Sequence, residues 1–180
     1  STANAVRYTG AKPIFVDSQK ESWNIDTSLI EKSITKKTKA IIPVHLFGLP
    51  ADMDSIMQIA KRYNLIVIED AAEAQGATYK GRPVGSIGHM GTFSFYGNKM
   101  ITTGEGGMVL TKNKKIEEKI RVLRDHGMSK TKRYVHKVLG YNYRLTNIQA
   151  ALGVAQMEKI NLIINLKIKI ANRYISGLKD

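Results

Sequence analysis

Cysteine is absent from the 180 residues. That excludes disulfides, iron–sulfur ligation and thiolate zinc sites. Histidine is scarce: His45, His89, His126 and His136 are the only four. No pair of them has the H-x-x-x-H spacing of a helical zinc site, so no metal centre is expected. No uncharged apolar run reaches the length of about 18 residues that a membrane-spanning helix needs. No basic–apolar–small leader opens the chain, and no internal repeat or low-complexity tract interrupts it. Together these absences fit a soluble cytoplasmic protein with no membrane partner.

Acidic residues are also few. Fifteen Asp and Glu stand against 28 Lys and Arg, a net charge of +13. Solvated lysine faces account for such a balance. So does an anionic ligand such as a nucleotide diphosphate, and so does nucleic acid. The lysines are spread along the chain and accompany no recognised nucleic-acid module, so nucleic acid is not expected as a partner. A hydrophobic fraction of 43% is that of an ordinary globular protein, and the length favours one domain.

What is present alternates between strand-like and helix-like segments. Residues 13–16 read as a short strand and 28–35 as a short helix. Residues 40–44 are an apolar, β-rich run. Residues 52–63 carry apolar positions at helical spacing, with Asp52 placed as the cap. Residues 65–68 form a second buried strand. This is a βαβ unit, which implies a parallel sheet between helix layers. A small hairpin is expected over 77–84, strands over 91–95 and 107–111, and a helix over 114–124. A basic loop follows over 125–140. One long helix is expected from Thr146 to Leu166, continuing as far as Tyr174.

Ile66-Val67-Ile68-Glu69-Asp70 is an apolar strand ending in a carboxylate. Ligands in open α/β sheets sit at the carboxyl ends of strands, so Asp70 stands where a ligand belongs; alone it reads more readily as a turn or cap residue. Thr92-Phe93-Ser94-Phe95-Tyr96-Gly97-Asn98-Lys99 ends a second strand near a lysine. A Gly-rich turn, Thr102-Thr103-Gly104-Glu105-Gly106-Gly107, follows without the spacing of a P-loop. In combination these pieces suit pyridoxal 5'-phosphate (PLP). That cofactor needs a lysine for its aldehyde, a carboxylate for its pyridine nitrogen and donors for its phosphate. Lys99, Asp70 and Ser94 supply the three.

The run EDAAEAQGATYKGRPVGSIGHMGTFSFYGNKMITTGEGGMV resembles the core of the DegT/DnrJ/EryC1/StrS sugar aminotransferases, which are fold-type I PLP enzymes. The resemblance extends through PVHLFGLPADMD before it and LRDHGMSKTKRYVHKVLGYNYRLTNIQAALGVAQ after it. Within the family it is strongest to the perosamine synthetases, which aminate GDP-4-keto-6-deoxymannose. The resemblance implies an α/β three-layer sandwich with a mostly parallel sheet, the large domain of the aspartate aminotransferase-like fold. It implies amino transfer from L-glutamate to a nucleotide-linked 4-keto-6-deoxy sugar, in the synthesis of cell-surface polysaccharide or glycosides. Alternatives are a UDP- or dTDP-sugar aminotransferase, or a non-catalytic regulator or scaffold of the same fold.

By the same resemblance, Lys99 is the Schiff-base lysine and proton shuttle, and Asp70 the partner of the pyridine nitrogen. Glu73 matches a position beside the cofactor ring, and Ser94 a phosphate-binding hydroxyl. Asn142 matches an asparagine that reaches the phosphate of the neighbouring subunit's cofactor, which implies a homodimer with shared active sites. His45 is expected on the floor of the site, without assigned chemistry. Arg144 reads as loop support or as an anion contact. His126, Lys130, Lys132, Arg133, Tyr134 and His136 fall where the family meets substrate, or form a merely solvated loop. Glycines 104, 106 and 107 are expected to serve the turn after the lysine. Residues 1–180 match the PLP-binding large domain without the family's N-terminal Gly-Thr/Ser phosphate-binding segment and without its C-terminal small domain. The expectation is therefore a part of a larger enzyme, inactive when isolated.

Overall fold

Asp52 accepts a hydrogen bond from Ser55 N and opens helix α3, Met53–Tyr63. The helix stops at Asn64, whose left-handed backbone (φ 51°, ψ 49°) turns its N–H back to the carbonyls of Ala60 and Lys61. Its apolar stripe, Met53, Ile56, Ile59 and Ala60, is buried. It packs with Ile41 of strand β1 (Ala40–Ile41), Val67 of strand β2 (Ile66–Asp70) and Ile30 of helix α2 (Thr27–Ser33). Each such Met, Ile or Val side chain contributes about 1.5–3 kcal/mol when fully buried, so this cluster is the principal core. A computed structural model describes residues 1–179.

The sheet has four strands in the order β1-β2-β5-β6, where β5 is Met90–Ser94 and β6 is Gly107–Thr111. The first three run parallel, with Ile41 opposite Val67 and Asp70 opposite Thr92. β6 returns antiparallel to β5, Ser94 lying opposite Gly107. The molecule is thus α/β with a mostly parallel sheet. Parallel pairing places the carboxyl ends of β1, β2 and β5 along one edge, and Asp70 and Ser94 are both there. A bridge between Val44 and Asp70 extends β1 toward that edge beyond Pro43.

Between β2 and β5 lies a small hairpin, β3 (Thr78–Tyr79) and β4 (Arg82–Pro83). It is tied to the start of α3: Tyr79 OH donates to Asp52 Oδ1 at 2.7 Å, and Lys80 and Arg82 pair with Asp54. The Lys80 ammonium holds the Asp54 carboxyl below its ordinary range. Helices α4 (Lys114–Leu123), α5 (Asn147–Met157) and α6 (Ile160–Gly177) complete the described chain, and a short α1 (Thr2–Tyr8) opens it. Thr146 and Gln149 close a reciprocal cap on α5.

Two sequence expectations are corrected. Residues 13–16 form no strand; the nearest pairing is an isolated bridge between Ser18 and Ile25. The helix expected from Thr146 is two helices, broken at Glu158 and Lys159. Neither proline nor glycine stands there, so residue type did not announce the break. Among the described residues no helix is long and apolar enough to cross a membrane.

Candidate active site at the strand ends

The β2 strand alternates its side chains between two faces. Val67 and Glu69 are wholly buried on one of them. Asp70 takes the other, at the carboxyl end of the strand. Its Oδ2 accepts a hydrogen bond from Thr2 Oγ1 at 2.6 Å, and its Oδ1 accepts one from Ala72 N at 3.2 Å. Both oxygens are therefore oriented by the protein, which leaves their remaining lone pairs for a further donor.

Beyond Asp70 the chain makes a tight turn that carries Glu73 and Gln75. Glu73 Oε1 lies 3.6 Å from Lys99 Nζ, and Glu73 Oε2 accepts the N–H of Phe47 at 2.9 Å. The Lys99 side chain is 18% exposed, reachable but sheltered. Phe47 itself is an exposed aromatic with a left-handed backbone, φ 51°. Non-glycine residues adopt that conformation at a cost, and such strain gathers at functional sites. Ser94 Oγ, at the end of β5, accepts Tyr96 N at 3.2 Å. That role leaves its own proton available to an anionic oxygen.

A lysine amine, an oriented carboxylate and a free hydroxyl proton thus share one edge of the sheet. Asp70, Glu73, Ser94 and Lys99 are brought to one region by strand pairing and by the Glu73–Lys99 contact. Asn142 comes from a different segment. Its backbone bridges to Asp125, and it lines a cleft of about 1190 Å³ bounded by β5, the Gly-rich turn, β6, α4 and residues 141–145. Arg144 lies 3.5 Å from Asp125, whose other neighbour is His126 at 3.5 Å. His136 Nδ1 contacts the carbonyl of His126 at 2.8 Å. Residues 125–144 are thus organised chiefly by contacts among themselves and with the end of α4.

The structure commits both ring nitrogens of His45 to protein groups. Its Nδ1 accepts Ala51 N, so the proton resides on Nε2, which donates to Glu69 Oε2 at 3.1 Å. Glu69 also accepts the N–H groups of Gly85, Ile87 and Gly88 at 2.6–2.8 Å. Burial pushes the Glu69 carboxyl up, but the hydrogen bond from His45 and those from the three backbone donors outweigh it and hold the group below its usual range. His45 and Glu69 form a buried latch that pins residues 85–88 beneath the strand carrying Asp70.

Sequence reasoning did not find Thr2, Glu69 or Gln75. Thr2 carries no local signal, because its partner is 68 positions away. For Glu69 the signal was available in strand alternation: if Asp70 faces the ligand, Glu69 faces the core and must be paired. The Gly-rich turn is held as expected, as a turn. Gly106 lies at φ 147°, and a Cβ there would meet Leu145 Cδ2 at 2.6 Å and Thr103 Oγ1 at 2.7 Å. From α5, Gln149 reaches the carbonyl of Glu105, and Gln156 brackets Thr102.

Comparison with known proteins places this geometry in context. A model of the DegT/DnrJ/EryC1/StrS aminotransferase family matches residues 1–180. A GDP-perosamine synthase of Escherichia coli O157:H7 is 52% identical over 180 residues, covering 100% of this chain and 50% of that protein. A protein of Geobacillus stearothermophilus named "Pleiotropic regulatory protein" is 52% identical over 181 residues, covering 100% of this chain and 48% of that one. The solved structure of DesV from S. venezuelae, in complex with a ketimine intermediate, superposes with a TM-score of 0.93 at 39% identity, over 98% of this chain and 47% of that one. The chain spans about half the length of the curated relatives it matches.

Proposed function

Because the chain belongs to the DegT/DnrJ/EryC1/StrS aminotransferase family, we propose that it carries the cofactor centre of a PLP-dependent sugar aminotransferase. The acceptor is a nucleotide-linked 4-keto-6-deoxy sugar and the amino donor is L-glutamate. The GDP-linked sugar is favoured by the name of the Escherichia coli relative. The observation that carries the reading is the placement of Lys99, 3.6 Å from a carboxylate on the same short segment as the oriented Asp70.

The residues present fit the cofactor. PLP when bound supplies an electron-withdrawing ring that makes the α-proton of an amino acid removable. Lys99 Nζ holds the cofactor and, once freed by the donor's amine, takes up that proton and returns it. Asp70 keeps the ring nitrogen protonated through a charge-assisted hydrogen bond. Glu73 keeps the Lys99 amine at the strand edge and anchors the Phe47 backbone beside it. Ser94 Oγ donates to a phosphate oxygen. Asn142, on its separate loop, serves the phosphate in a second copy of the chain, so that two subunits share two sites.

The test adds PLP to the full-length protein and to its Lys99→Ala variant, recording visible spectra and borohydride trapping. A lysine-dependent band and a trapped Lys99 peptide are expected from the wild type alone; their absence overturns the reading. Glutamate with GDP- and UDP-linked 4-keto sugars then identifies the acceptor by the amino sugar formed. A regulatory role is the second reading, favoured by the name of the Geobacillus relative. It predicts no amination with any sugar in that screen.

A further inference from the structure

Gln75 is a side chain that neither sequence pattern nor the proposed chemistry uses, yet its amide is fully engaged. Its Oε1 accepts the N–H of Ile101 at 2.7 Å. Its Nε2 donates to the carbonyl of Ser94 at 2.8 Å and to that of Ile101 at 3.3 Å. The Ile101 N–H demands an acceptor and the two carbonyls demand a donor, so the network fixes which end of the amide is which.

The partners of Gln75 flank the segment that carries Lys99. Residues 95–100 leave the sheet after Ser94, and the chain is buried again at Ile101, which is 2% exposed. The neck of this excursion is closed by Thr103 N to Phe95 O at 2.9 Å and by Phe95 N to Gly106 O at 2.9 Å. Gln75 joins that neck to the turn bearing Asp70 and Glu73. Lys99 therefore has two links to the 70–75 turn. One is the Glu73–Lys99 pair, which depends on the charge of Nζ. The other is the Gln75 bracket, which binds only backbone and does not change when Nζ is neutral, bonded or free.

We propose that Gln75 is the positioning residue of the reactive lysine: by bracketing Ser94 and Ile101 it keeps Lys99 in register with Asp70 and Glu73 whatever the state of Nζ. The proposal rests on the PLP reading above. A lysine that is released and recaptured in each cycle needs a fixed base, because misplacement of a reacting group by about 1 Å costs on the order of a hundredfold in rate.

The experiment is a double-mutant cycle with PLP as the probe. Wild type, Gln75→Leu, Lys99→Ala and the double variant are compared at a temperature where all are folded by circular dichroism. PLP dissociation constants and the rate of borohydride trapping at Lys99 are measured, together with hydrogen exchange at Ile101 N–H. Gln75→Leu is expected to speed Ile101 exchange and to slow trapping at Lys99 by about tenfold, the loss of roughly one net buried hydrogen bond. In the Lys99→Ala background the same change is expected to leave the PLP dissociation constant unaltered. Weakening of PLP by the same factor in both backgrounds assigns Gln75 to the pocket at large and overturns the proposal. Unchanged trapping in Gln75→Leu overturns it as well, while wild type remains trapped. If wild type itself shows no trapping at Lys99, the PLP reading fails and the proposal falls with it. Gln75→Glu, which keeps the acceptor and loses the donor, is expected to trap at an intermediate rate or slower, never at the wild-type rate.

Discussion

Thr2 Oγ1 donates to Asp70 Oδ2 at 2.6 Å, joining the first helix of the chain to the end of β2. With Ala72 N on the other oxygen, the carboxylate is held on both sides before any ligand arrives. Thr2→Val keeps the shape and removes the donor. PLP affinity is expected to fall about tenfold, the scale of one hydrogen bond to a charged group, and Thr2→Ser to restore it. Spectroscopic titration with PLP measures both. An unchanged dissociation constant in Thr2→Val would count against the role given to this contact.

Glu73 performs two tasks that substitutions separate. Glu73→Gln keeps an oxygen for Phe47 N and loses the charge facing Lys99. An ion pair as long as 3.6 Å between partly exposed side chains contributes about 0–1 kcal/mol, so stability should scarcely change. Glu73→Ala also releases the Phe47 N–H, and the left-handed turn at 46–48 loses an anchor. Hydrogen exchange at Phe47 is expected to accelerate in the alanine variant alone. Equal acceleration in both variants would show that charge, not the hydrogen bond, holds the turn.

The Glu69 latch makes stability depend on acid. The carboxyl is held below its ordinary range in the folded chain. Its contribution is therefore complete above the unfolded value of about 4.3, and is lost as pH falls through the lower folded value. Glu69→Gln is expected to cost about 1–3 kcal/mol near neutral pH, since it opposes an amide to the donors of residues 85–88. It should also remove that part of the acid dependence. Urea unfolding at a series of pH values from about 3 to 6 checks the sign; parallel curves for wild type and variant sink the argument.

Gly91 is required by contact. A Cβ on it would stand 2.0 Å from the carbonyl oxygen of Gly85. The added Cβ is fixed rigidly to the strand and meets backbone atoms of Gly85, so neither side yields cheaply. Gly91→Ala is expected to destabilise by about 1–3 kcal/mol or more. It should also loosen the 85–88 turn from Glu69. Thermal unfolding with exchange at Gly88 N–H reports both effects; a wild-type midpoint would show that the turn moves freely.

Local patterns were legible where one residue type has one physical meaning. The stripe of α3, the Asp52 cap and the apolar β2 run all came from periodicity and capping chemistry. The hairpin at 78–83 was legible from Lys80-Gly81-Arg82, though its tether to Asp54 was not. Residues 13–16 misled because β-branched and aromatic content marks a strand only when a neighbour supplies hydrogen bonds. The helix break at 158–159 left no mark in residue type.

The sequence by itself determined that strand ends would present Asp70 and Ser94 on one edge, with Lys99 following. Parallel pairing of apolar runs leaves no other arrangement once the runs are adjacent. Only the tertiary structure decided what surrounds them. It brought Thr2 to Asp70, turned His45 to Glu69, set Gln75 at the neck of the Lys99 excursion and placed Asn142 on a separate loop. The physical reason is range. Periodicity and caps act within a few residues, whereas these contacts close over 19 to 68 positions and exist only after the sheet has assembled.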